Sequence, residues 1–229
     1  MRVCLFGALA LCRSGHSVVL QLSAQRLIAL VALRTALRRE EAGGVLWPDV
    51  PDYRAAGRLR TTLWRLRRSE PEILNSANGQ LLFHEGVEVD YQDWRALALQ
   101  IINWPECVMK VDLASLWPQG ELLPGWYDDW IVLERERVRQ LQLHVLEVAA
   151  DQLLRAGRHA VALELALGAL RMEETRESAH RLVIRVHLAE GNTGEAWRQF
   201  KRCERVLDKE LGVSPSSQLQ ALLASEAHH

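Results

Sequence analysis

DYRAAGRLRTTLWRLRRS (52–69) decides the reading of this chain. At 100° per residue, Ala55, Ala56, Leu59, Leu63 and Leu66 fall on one apolar stripe, so the segment reads as an amphipathic helix. The opposite face holds Arg54, Gly57, Thr61, Trp64, Arg65 and Arg68, flanked by Arg58, Arg60 and Arg67, and no acid occurs between Asp52 and Glu70. A merely solvated face mixes both signs of charge. An arginine-only face with an outward tryptophan calls for a polyanionic partner, and guanidinium forks suit phosphates and guanine edges in a major groove.

Downstream, ILNSANGQLLF (73–83) places Asn78-Gly79 between two apolar runs, a strong signal for a two-residue hairpin. Upstream, Trp47-Pro48-Asp49-Val50-Pro51 must be a loop, because neither proline offers an amide donor. A short helix is expected over Glu40–Leu46, carrying Gly43-Gly44 at roughly 1 kcal/mol each in lost propensity. A longer helix is expected from a Ser23 cap to about Leu37, with Leu27, Ile28, Val31 and Leu37 on its stripe. Val3–Leu11 and Ser17–Leu22 read as strands around the turn Arg13-Ser14-Gly15-His16. Two strands, three helices and a hairpin with a polar tip describe a winged helix-turn-helix.

LWPDV (46–50), RAAGRLRTTLWRLRR (54–68) and IL…GQLLF together resemble the OmpR-type winged helix at the front of antibiotic-regulatory-protein (SARP) transcriptional activators. Gly43-Gly44 and Trp64 depart from that pattern. The resemblance implies double-stranded DNA as partner, with Arg54, Arg58, Arg60, Thr61, Trp64, Arg65, Arg67 and Arg68 on the recognition helix and Asn75, Ser76 and Asn78 in the wing. Arg26 and Arg34 are weaker phosphate candidates. It also implies that Trp47, Pro48, Asp49 and Val50 touch RNA polymerase, and that two protomers lie head to tail on direct repeats as a homodimer on DNA.

The second half is helical, with segments expected at 91–102, 128–155, 159–172, 176–190, 194–209 and 216–225, the last with Ser214 as cap before Pro215. Gly157 and Gly191 are 34 residues apart; so are Ala162 and Ala196, Ala166 and Phe200, and Ala169 and Cys203. That period is the tetratricopeptide one, in which small residues let helices cross closely. ELLPGWYDDWIVLERERVR (121–139), LLRAGRHAVALELALGAL (153–170), ESAHRLVIRVHLAEGNTGEA (177–196) and KELGVSPSS (209–217) are similar to the bacterial transcriptional activator domain of the same regulators. The expected fold is therefore mainly α with a small β component: an N-terminal winged helix-turn-helix over residues 1–90 and a C-terminal tetratricopeptide-like helical domain over 91–229.

The chain has 229 residues and a formal net charge of -1, which hides a segregation. Residues 1–69 carry twelve arginines against four acids (+8), residues 70–134 two basic groups against twelve acids (-10), and the remainder is near neutral. No apolar run approaches the roughly 20 residues of a membrane span. MRVCLFGALALC carries one Arg before a run of only Val3–Leu11, with Leu11 rather than a small residue before Cys12, so it reads as a strand and not as a secretion or lipoprotein signal. Cys4, Cys12, Cys107 and Cys203 lie too far apart in sequence for a zinc site or disulfide framework and point to the cytoplasm.

The histidines show no metal spacing; His180 and His187 share a helix without an accompanying carboxylate cluster. Asp128, Asp129, Glu134 and Glu136 resemble an acid pair site, but a helix start accounts for the first two. No nucleophile elbow or phosphate loop occurs, so no catalytic residue, metal or cofactor is expected and an enzyme is disfavoured. Two functional alternatives remain. One is an adaptor whose winged helix no longer binds DNA, favoured by Gly43-Gly44 and Trp64. The other, an RNA-binding module, is disfavoured because no aromatic-bearing sheet motif is present.

Overall fold

A computed structural model describes residues 1–224; the pair His228-His229 and the end of the last expected helix lie outside the described residues. The chain forms two compact units, Met1–Ala96 with Pro118–Val138, and Leu97–Trp117 with the chain from Arg139 onward.

In the first unit, β1 (Arg2–Cys4), β2 (Ala10–Arg13) and β3 (His16–Val18) make an antiparallel meander, and β7 (Glu88–Val89) joins β1 in parallel. The run Val3–Leu11 is thus two strands, not one, because the chain reverses at Gly7, whose φ is +77°. Gly7 also meets the segment after Pro118. Its amide donates to the Glu121 carbonyl at 2.9 Å, and a Cβ on Gly120 would stand 3.0 Å from the Gly7 Cα. The β2–β3 turn falls at Ser14-Gly15 as expected, both at positive φ; β3 stops at Val18, well short of Leu22.

Helix α1 spans Leu22–Arg34 and buries every residue from Leu27 to Leu33. It starts after Gln21 rather than on a Ser23 cap, and stops where Thr35 takes φ +66°. Leu37, expected on the helix stripe, instead lies in β4 (Leu37–Arg38) opposite Leu81 and is 1% exposed. A strand pairing satisfies its backbone and buries its side chain together, which another helical turn could not. In helix α2 (Arg39–Leu46) Gly43 faces Ala55, and a Cβ built on it would meet Ala55 at ordinary contact distance. Helix α3 covers Asp52–Ser69. The wing is β5 (Leu74–Ala77) and β6 (Gln80–Phe83) around Asn78-Gly79, both at positive φ, the type I′ geometry that matches strand twist.

Helix α4 (Asp90–Asn103) starts on Asp90, whose carboxylate accepts from the Leu5, Phe6 and Tyr91 amides at 2.6–3.1 Å. Two 3-10 turns, Pro105–Lys110 and Leu113–Leu116, follow it. The long α5 (Asp129–Arg155), α6 (His159–Met172), α7 (Glu177–Ala189), α8 (Thr193–Leu211) and α9 (Ser217–Ala224) complete the described chain. The cap of α9 is Ser216, not Ser214: its Oγ accepts from the Leu219 amide at 3.3 Å while Glu177 holds its own amide.

The 34-residue period is written into the backbone of the second unit. Gly157 donates to Leu154 and Arg158 to Leu153; thirty-four positions on, Gly191 donates to Leu188 and Asn192 to His187. Both glycines are left-handed (φ +73° and +75°), which closes a helix end at little cost without a Cβ. Ala162, Ala166, Ala169, Ala196 and Cys203 are all fully buried, and Phe200 is 8% exposed. Ala196 and Cys203 share one core cluster with Ile184 of α7, where their small side chains let α8 lie close. Gly168 continues the theme, since the Trp117 indole fills the space where its side chain would be.

Candidate nucleic-acid interface

The two faces of α3 separate as the periodicity predicts, with one exchange. Ala55, Leu59, Leu63 and Leu66 are buried, while Ala56 is exposed and Thr62 takes its place in the core at 5% exposure. Thr62 enters the core because its hydroxyl donates to the Arg58 carbonyl one turn back at 3.0 Å, so no polar group is left unpaired. Ala56 lies at the margin of the stripe and loses little by facing water.

Arg54, Arg58, Arg60, Thr61, Trp64, Arg65, Arg67 and Arg68 are all exposed. Gly57, Thr61, Trp64 and Arg68 follow one another along the outermost line of the helix. Around Gly57 the space is open, so a partner's backbone can approach the helix closely there. Thr61 donates to the Gly57 carbonyl and keeps its oxygen free to accept. The Arg68 guanidinium stacks over the Trp64 ring at 4.8 Å from its centroid, which orients both side chains outward.

None of the six α3 arginines is ion-paired among the described residues. Arg54 donates to the Tyr53 hydroxyl at 3.0 Å and Arg65 to the Gln21 side chain at 3.3 Å, both neutral partners. Arginines elsewhere are treated differently. Arg135, Arg137, Arg139, Arg176 and Arg185 each hold a carboxylate within 3.0 Å. Six neighbouring cations left without acids repel one another, a cost that an anionic partner relieves.

The wing presents Asn75 and Asn78 exposed and Ser76 half-buried. Asn75 accepts from the Ser76 amide at 2.7 Å, and Ser76 accepts from Arg39 at 3.1 Å. Arg39 also donates its backbone amide to the Gly79 carbonyl. This exposed arginine ties the start of α2 to the wing tip, and sequence reasoning missed it. Its position depends on the β4–β6 pairing, and its neighbours Glu40 and Glu41 made the run look like an ordinary mixed surface. Arg26, by contrast, is occupied by an ion pair with Asp128 and is not available to a phosphate; Arg34 is exposed. In the loop between α2 and α3, Pro48 and Asp49 are exposed while Trp47 and Val50 are half-buried.

The other titratable groups serve the packing. His180 is 1% exposed; its Nε2 faces the Glu174 carbonyl at 2.9 Å and its Nδ1 the Gln199 amide at 2.7 Å, and burial pushes its pKa down. Glu134 is buried between the Tyr91 hydroxyl (2.7 Å) and Arg137 (2.9 Å), and burial, with that carboxylate, raises the Tyr91 pKa. Burial pushes the Cys203 thiol up to about 12, which leaves it protonated and inert. The Asp128 carbonyl accepts the first amides of α5.

A winged helix with an arginine-faced third helix, followed in the chain by a tetratricopeptide-like helical unit, is the two-part architecture of SARP-type regulators. The chain belongs to the bacterial transcriptional activator domain family, which it matches over residues 110–225. It is 26% identical over 235 residues to the regulatory protein AfsR of Streptomyces coelicolor and 27% identical over 248 residues to the regulatory protein DnrI of Streptomyces peucetius, each match covering 97% of this chain. The chain spans only 24% of the length of that AfsR but 90% of DnrI. Among solved structures, EmbR of Mycobacterium tuberculosis, in complex with a low affinity phosphopeptide, shares the fold. Its TM-score is 0.75 at 15% identity, covering 97% of this chain and 64% of that one.

Proposed function

We propose that this protein is a sequence-specific DNA-binding transcriptional regulator, an activator that works from direct repeats in a promoter. The observation that carries the reading is the exposed α3 face, six arginines without a carboxylate among the described residues. On this reading α3 enters the major groove. Arg54, Arg58, Arg60, Arg65, Arg67 and Arg68 bind phosphates and base edges, and Thr61 and Trp64 contact sugar or a thymine methyl. Asn75, Ser76 and Asn78 lie in the adjoining groove, with Arg39 bracing the wing. Residues 1–90 bind DNA, and residues 91–229 support a homodimer on DNA and activation. Trp47, Pro48, Asp49 and Val50 meet RNA polymerase. The names of the relatives, both regulatory proteins, support this role, and such a role belongs to the cytoplasm.

The test is a selection of bound sequences from random duplex DNA at low and moderate salt. Recovery of a spaced direct repeat is the expected result, and it yields the protomer spacing at once. With about six phosphates neutralised, the log–log dependence of affinity on salt should have a slope near about -5. The adaptor alternative draws on Trp64, 57% exposed. A folded protein that enriches no sequence, and whose partner binding barely responds to salt, would establish that reading instead.

A further inference from the structure

We infer that the groove between α5 and α7 is a docking site for a short acidic segment of a partner protein. The groove, about 340 Å³, lies between the first helices of the two consecutive helical hairpins of the second unit. Its charges do not balance. Glu147 is saturated by Arg176, through bonds of 2.7 and 2.8 Å, and by Ser178 at 2.5 Å. Asp151 sits between Arg155 at 2.7 Å and Arg185 at 2.5 Å, one carboxylate for two guanidiniums. Arg181, also on the wall, donates to the neutral Gln218 side chain at 3.1 Å and has no carboxylate among the described residues. The groove therefore carries two positive charges in excess, on guanidiniums that each have five N–H donors and use few of them.

Between these cations Ile102, Val148 and Leu182 add an aliphatic strip, beside the polar His144 and Gln152. An acidic peptide with an interspersed aliphatic side chain matches both features, carboxylates on Arg155, Arg181 and Arg185 and the apolar group against Val148 and Leu182. A nucleic-acid backbone matches only the first. The inference stands apart from DNA recognition by α3, since no residue is shared.

The test uses the full chain and a fluorescein-labelled dodecapeptide alternating Asp or Glu with Leu, read by anisotropy beside its Asn/Gln counterpart. The acidic peptide should bind at least tenfold more tightly than the neutral one. The double variant Arg155→Ala/Arg181→Ala should lose at least tenfold, with random-duplex DNA binding changed less than twofold. That variant leaves Asp151 on Arg185, so no carboxylate is stranded. Equal binding of both peptides, or unchanged binding by the variant, would overturn the inference. So would loss of peptide binding in Arg65→Ala/Arg68→Ala, which would put the peptide on α3, or a loss of duplex binding in the groove variant, which would make the groove a nucleic-acid site.

Discussion

Leu63 and Trp64 are neighbours in sequence with opposite surroundings, and replacing each by alanine tests the orientation of α3 on which the DNA reading depends. Leu63 is 6% exposed and Trp64 57%. Leu63→Ala removes three buried carbons, about 2.4 kcal/mol at roughly 0.8 kcal/mol per carbon. The cavity that incomplete relaxation leaves brings the expected loss to about 2–5 kcal/mol. Trp64→Ala gives up only an exposed ring and its stacking on Arg68, worth about 0.5–1 kcal/mol at a surface. Because the chain forms two compact units, the loss is read locally, by amide hydrogen exchange of α3 together with urea titration. DNA affinity, measured below the unfolding transition, should be nearly unchanged in Leu63→Ala and clearly weaker in Trp64→Ala. If Leu63→Ala abolished binding while α3 kept its protection, and Trp64→Ala unmade it, the assignment of the two faces would be refuted.

Other outcomes follow from single residues. Arg65→Ala should weaken specific binding by about 1–3 kcal/mol if it reads a base; an equal loss on specific and random duplexes would make it a phosphate clamp. Gly168→Ala should cost about 1–3 kcal/mol, because the new Cβ would lie 2.2 Å from the Trp117 ring; a lowered Tm with a shifted resonance of fluorine-labelled Trp117 checks it. Gly157→Ala and Gly191→Ala should each cost about 1–2 kcal/mol, and by similar amounts, since each glycine stands in open space and only its left-handed backbone opposes a side chain. The His180 pKa is lowered in the folded protein, so the unfolded chain binds its proton more tightly. The corresponding stability is complete above the ordinary value of 6.5 and is lost as the pH falls through the folded value; urea midpoints at pH 7.5 and 5.5 should differ less in His180→Gln than in the parent.

How much of this was legible in the sequence depended on how local its cause was. The helices of the second unit were read to within a few residues because their apolar period and their closing glycines, Gly157 and Gly191, are local signals. The N-terminal strands were misread because an apolar run does not announce a reversal. Gly7 turns the chain where Gln119 and Gly120 approach it, and those residues lie more than a hundred positions away. Leu37 was assigned to a helix for the same reason: its partner Leu81 is 44 residues distant. The face of α3 was legible to within Ala56 and Thr62, where position on the wheel was marginal and a backbone hydrogen bond decided. Arg39 and Arg26 exchanged standing because the contacts that decide them, to Ser76 and to Asp128, are also long-range.

The charge segregation itself acquires a structural meaning once the ion pairs are known. The first 69 residues carry an excess of eight positive charges, and the next 65 a larger negative one. A chain built this way could simply neutralise itself. In part it does: Arg13 is held by Glu70 and Arg26 by Asp128, and Glu88 lies 4.0 Å from Arg2. Other acids of the second segment are spent on its own architecture, Asp90 on the amides of Leu5 and Phe6, Glu134 on Tyr91 and Arg137, and Glu121 on Arg135. What stays unneutralised is therefore mostly α3, with Arg38 and Arg39 beside the wing and Arg34 at the end of α1, all exposed. Burial of acids elsewhere in the first unit concentrates its uncompensated charge on the helix and hairpin that a groove-binding fold would present to DNA. Reversing that arrangement by placing a glutamate at Gly57, in the open centre of the face, should not lower stability, since glutamate is the better helix former, and should suppress DNA binding more than any single arginine removal, because it both adds repulsion and pairs an arginine one turn away.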